Sequence, residues 1–100
     1  MNRLVKGLAH VGIRVHSLER SRVFYEKLGF KFVVGPVGPE PVAIMSHPCG
    51  LEVNFILNAA DEEIPNQLMD VDRKYPGYTH MALLVDDLEA VQKHLKESVV

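Results

Sequence analysis

Three side chains able to bind a metal sit in apolar stretches of this chain: His10, Glu52 and His80. Imidazole and carboxylate suit Zn, Ni, Mn or Fe, and a site with an open coordination position is what a catalytic metal needs. A buried and unpaired Glu52 would be costly, whereas a cation beside it makes the charge tolerable. Two of the three belong to a repeat. Ala9-His10-Val11-Gly12-Ile13-Arg14-Val15-His16-Ser17-Leu18-Glu19 aligns without a gap to Thr79-His80-Met81-Ala82-Leu83-Leu84-Val85-Asp86-Asp87-Leu88-Glu89. His, Val, Leu and Glu are identical in the two copies. Such a repeat predicts two copies of one supersecondary element. The shared histidine predicts a site assembled from both.

The elements that must position these residues follow from periodicity. Residues 7–15 alternate, with Ala9, Val11, Ile13 and Val15 on one face and His10, Gly12, Arg14 and His16 on the other. That pattern predicts a half-buried strand. Ser17 is placed as an N-cap, and Leu18, Ser21, Tyr25 and Leu28 follow at helical spacing, with Phe24 widening the stripe. Gly29 stands where a helix C-cap glycine belongs. Strands are expected at 30–34, 42–45 and 51–57, separated by Gly/Pro turns. In the last of these, Glu52, Asn54 and Ile56 share one face, and Leu51, Val53 and Phe55 the other.

Residues 7–57 therefore read as β-α-β-β-β. Residues 58–77 form a polar connection with a short helix expected near 64–73. Residues 78–100 begin a second unit, with a strand at 78–85 and a helix capped by Asp87. The fold class is α+β: paired β-α-β-β-β modules forming a curled mixed sheet with helices on its outer face, within one domain spanning 1–100. The second module breaks off after its helix, and the repeat predicts three further strands, ending near about position 127.

Composition narrows the function classes. With 47% hydrophobic and 24% charged residues the chain reads as an ordinary globular domain. A formal charge of −2 leaves no electrostatic footprint for nucleic acid. No apolar run is long enough to span a bilayer. A single cysteine, Cys49, excludes a disulfide framework and points to a reducing, cytoplasmic setting. The expected partner is a small-molecule substrate.

The stretch from His10 to Ser21, followed by Phe24-Tyr25-Glu26-Lys27-Leu28-Gly29-Phe30, resembles the opening of the vicinal oxygen chelate superfamily, the glyoxalase, bleomycin-resistance and extradiol dioxygenase group. Gly77-Tyr78-Thr79-His80-Met81-Ala82-Leu83-Leu84-Val85-Asp86-Asp87-Leu88 resembles the start of its second module. The resemblance implies one divalent metal held by His10, Glu52 and His80. A fourth ligand is implied beyond Val100. A His-Glu-His set is similar to that of glyoxalase I, and Arg14 falls where that enzyme binds a substrate carboxylate. Ile56 replaces the family asparagine, with Asn54 two residues early on the same face.

The resemblance thus implies a metal-dependent lyase or isomerase acting on a small oxygen-chelating substrate through a metal-stabilised enediolate. Glu52 is the general-base candidate on this chain, and Arg14 and Asn54 are the candidate substrate contacts. Two alternatives stand beside it: a metal-free ligand-binding protein of the bleomycin-resistance type, and an extradiol dioxygenase-like enzyme. A homodimer is implied, since family members commonly share modules or sites between subunits.

Overall fold

The computed structural model describes residues 3–98, so the first two and last two residues of the expected domain lie outside the described residues. The chain forms two compact units, Met1–Ala60 and Asp61–Val100. The boundary falls inside the expected connection.

The first unit contains β1 (Val11–Arg14), α1 (Leu18–Lys27), β2 (Lys31–Val37), β3 (Val42–Ser46) and β4 (Glu52–Ile56). Its strands form an open mixed sheet in the order β1-β4-β3-β2. β1 runs parallel to β4, and the other pairs are antiparallel. Alternation sorts β3 and β4 cleanly. Ala43, Met45, Val53 and Phe55 are fully buried, while their neighbours on the other face are half-buried. With Phe30 they make up the buried core.

Helix α1 lies on that core face. The Tyr25 ring sits 5.2 Å from both Phe55 and Phe30, and the Arg22 guanidinium lies 4.2 Å over the Phe32 ring. Burial among these rings pushes the Tyr25 hydroxyl above its ordinary value near 10. Both helix ends are set by local sequence. Ser17 Oγ accepts from the Arg20 N–H at 3.1 Å. At the other end Gly29 N–H donates to Glu26 O and Phe30 N–H donates to Tyr25 O, a Schellman closure with Gly29 at φ +92°. The contact between the Tyr25 and Phe30 rings seals it.

Gly35 marks the irregular middle of β2, where the pairing with β3 shifts register. A Cβ at Gly35 would overlap Ala43 Cα and lie 2.7 Å from Ala43 Cβ and 2.8 Å from Val42 O. Those are backbone and short side-chain atoms that cannot swing away. Gly35→Ala is therefore expected to cost about 1–3 kcal/mol, as overpacking does, visible as a lowered urea midpoint. Unchanged stability would show that β2 can shift freely.

In the second unit the regular element is α2 (Leu88–Glu97), capped by Asp87, whose Oδ1 accepts from the Ala90 N–H at 3.1 Å. Two expected elements are corrected here. Residues 64–73 form turns rather than a helix. Asn66 holds them, its Oδ1 accepting from the Leu68 N–H while its own N–H donates to Asp70 Oδ2. This local side-chain bonding competes with helix formation. Residues 78–85 form no strand, and Tyr78 and Leu84 are fully exposed. A strand exists only through its ladder, and among the described residues no segment of this unit supplies one. Among the described residues, no helix is long and apolar enough to cross a membrane.

Candidate functional site

The sheet face away from α1 carries the expected site residues of the first unit. In β4 this face presents Glu52, Asn54 and Ile56, all half-buried. In β1 it presents Gly12 and Arg14, which register beside Asn54 and Ile56 respectively. On the other side of β4, Ile44 registers with Asn54 and Ser46 with Glu52. β1 begins at Val11, so His10 precedes the strand rather than lying inside it. Because the pairing is parallel and Val11 sits beside Val53, His10, just before β1, comes level with Glu52, the first residue of β4. Alternation within β4 puts Glu52 on the open face. The register thus brings the chain at His10 to the same end of the sheet as Glu52.

Glu52 and His10 make no hydrogen bond or ion pair among the described residues, leaving both donor groups uncommitted. Asn54 adds an orphan. Its Oδ1 is buried with no hydrogen-bond partner. An unpaired buried amide oxygen costs roughly 1–3 kcal/mol, so the face holds an acceptor in need of a donor or a cation. These are oxygen and nitrogen donors of the kind a borderline divalent ion takes, and to that extent the residues fit a metal.

His80, in the second unit, is exposed, with its Nδ1 2.9 Å from Thr79 Oγ1. When Nδ1 carries the proton and donates to that hydroxyl, the Nε2 lone pair is left open, the usual arrangement of a ligating histidine. Within each unit, among the described residues, no three His, Cys, Asp or Glu side chains form a group able to hold a metal.

Arg14 is already engaged. Its Nη2 lies 2.7 Å from Glu40 Oε1 and its Nε donates to Asn58 Oδ1 at 3.1 Å. About half of each side chain of the Arg14–Glu40 pair is exposed, so the pair stabilises weakly. Its effect is geometric: it ties the end of β1 to the β2–β3 turn and to the exit of β4. The sequence carries no signal for Glu40 and Asn58, since both lie far from Arg14 along the chain. On the helix side, Ser17, Arg20, Ser21, Phe24 and Tyr25 line a wide-mouthed concavity of 310 Å³. It contains no expected site residue.

An open, mixed four-stranded sheet with a helix packed on one face defines the fold class of the protein. Residues 7–100 match the Glyoxalase/Bleomycin resistance protein/Dioxygenase superfamily, and the chain belongs to it. Members of this superfamily often use a metal ion. The chain is 41% identical over 88 residues to a Bacillus subtilis (strain 168) protein named as a probable trivalent organoarsenical cleaving enzyme. That match covers 87% of this chain and 51% of the relative, so the chain spans about half the length of the curated protein it matches. Among solved structures, the crystal structure of SMU.1112c superposes with a TM-score of 0.68 at 23% identity, covering 93% of this chain and 74% of that one. This likeness is one of fold.

Proposed function

We propose that this chain supplies metal-holding residues to an enzyme that cleaves a trivalent organoarsenical. One observation carries the reaction class: the 41% identity, over most of this chain, to the protein named for that activity. The free sheet face is consistent with it. His10 and Glu52 are the proposed donors of the first unit, and His80, the repeat's second histidine, is a further candidate ligand. A divalent cation held by them would supply Lewis acidity and an open position for the substrate. The chain's own residues do the positioning. Asn54 Oδ1 accepts a hydrogen bond from a substrate or water donor, and Arg14 holds the edge of β1 in place through Glu40 and Asn58.

A second reading is favoured by one feature, the uncommitted and half-buried carboxylate of Glu52. It would serve as general base, moving a proton between adjacent carbons of a small oxygen-chelating substrate.

The experiment loads purified protein separately with Fe, Mn, Ni and Zn and supplies a trivalent monomethyl arsenical. Inorganic arsenic is then followed by chromatography coupled to elemental detection. Metal-dependent release is the expected result. No release with any of the four metals, in air or under nitrogen, would refute the arsenical reading. Solvent deuterium entering an α-hydroxy ketone substrate would instead support the second.

A further inference from the structure

The turn between β3 and β4 holds a histidine that none of this chemistry uses. His47 is half-buried, and its ring is the meeting point of three contacts. Nδ1 accepts the Cys49 backbone N–H at 3.0 Å. Nε2 lies 3.1 Å from the carbonyl of Leu28, the C-cap of α1. The ring packs at a tilt on Phe30, with centroids 4.9 Å apart. An N–H partner requires a lone pair at Nδ1, and a carbonyl partner requires a proton at Nε2. Only the neutral Nε2–H tautomer meets both demands. The chain also leaves the helix directly against this ring, since a Cβ at Gly29 would lie 3.1 Å from Nε2.

We propose that His47 is a proton-operated latch. Neutral, it ties the β3–β4 turn to the end of α1. Protonated, both ring nitrogens are donors. The Nε2 contact then survives, because Leu28 O stands at the helix C-terminus, where the dipole favours a cation. The Nδ1 contact does not survive: a new N–H faces the Cys49 N–H, and the tip bearing Cys49 detaches from the ring.

The charged and titratable groups on the surrounding elements fit this asymmetry. Glu26 and Lys27 close α1, and Cys49 brings its thiol on the turn itself. Lys31 and Glu52 both register opposite Ser46, and so face the other side of the sheet from the ring. None of the hydrogen bonds to the ring comes from these side chains.

Amide hydrogen exchange of Cys49, corrected for the intrinsic pH dependence of exchange, tests the latch between about pH 8 and about pH 5, where imidazoles ordinarily take up a proton. The His47 ring resonance is followed in the same samples. Protection at Cys49 is expected to fall at least about tenfold in step with the ring titration, a change of about 1.4 kcal/mol. His47→Asn keeps an acceptor for the N–H two residues on and cannot titrate in this range, so its protection at Cys49 should not change with pH. Protection that stays constant through the wild-type ring titration would overturn the proposal, as would the same pH dependence in His47→Asn. The wild-type titration decides the matter even where the variant folds poorly.

Discussion

Replacing His10 or Glu52 by alanine is expected to weaken divalent-metal binding by more than about a hundredfold. Residues that merely orient a ligand typically cost 10–100-fold when removed, so loss of a direct ligand should exceed that range. Parallel pairing of β1 and β4 brings His10, just before β1, level with Glu52 at one end of the sheet. Their chemistry points the same way. Neither is committed to another protein group, and an uncompensated half-buried carboxylate is unfavourable in an apolar strand. Titration calorimetry with Mn, Ni and Zn measures the effect, with circular dichroism to verify folding. Arg14→Met is the control, because that side chain bonds Glu40 and Asn58 and should leave metal affinity nearly unchanged. If His10→Ala loses the metal while Glu52→Ala keeps it, Glu52 is not a ligand. The site would then be of the dioxygenase-like kind, built without the β4 carboxylate.

Truncating Phe55 to alanine is expected to lower the unfolding free energy by about 3–5 kcal/mol. Phe55 is fully buried at the centre of the sheet and packs against Tyr25 of α1. The buried core of the first unit is small, comprising Phe30, Ala43, Met45, Val53 and Phe55. The neighbouring Tyr25 ring is held by Phe24 and Phe30, so collapse around the void would be incomplete. A typical domain has only about 5–15 kcal/mol in total, so this loss approaches the whole for a marginal protein. Urea unfolding followed by Tyr fluorescence and circular dichroism reports it. Val33→Thr, at 57% exposed, is the matched control and should change stability little. A Phe55→Ala change below about 1 kcal/mol would show that α1 is not anchored by this residue.

The local chemistry of the first module was legible along the chain. Ser17 caps α1, Gly29 closes it, and the alternation in β4 assigns Val53 and Phe55 to the core and Glu52 and Asn54 to the free face. These follow from groups a few residues apart, where backbone geometry alone decides direction. Strand ends were less legible. His10 falls just before β1, because a ladder ends where its partner ends and not where alternation fades. The Arg14 clamp was illegible for a related reason: nothing local links Arg14 to Glu40 or Asn58. The expected strand at 78–85 shows the same limit from the other side. Its likeness to the first copy of the repeat is a real property of the residues, but pairing needs a neighbour that the repeat cannot provide.

The amino-acid sequence by itself determined the superfamily, the β-α-β-β-β order of the first module, and the histidine and carboxylate types of the candidate site. Those properties reside in short-range periodicity, capping chemistry and a repeat, all of which are encoded within a few turns of chain. Only the tertiary structure decided that β1 pairs parallel with β4, which brings His10 level with Glu52 at one end of the sheet. It alone decided that Arg14 bonds Glu40 and Asn58, that Asn54 Oδ1 is left unpaired, and that the His47 ring meets the Leu28 carbonyl and the Cys49 N–H. Each of these depends on which distant atoms meet, and that is settled by sheet register and packing rather than by any residue's own preference.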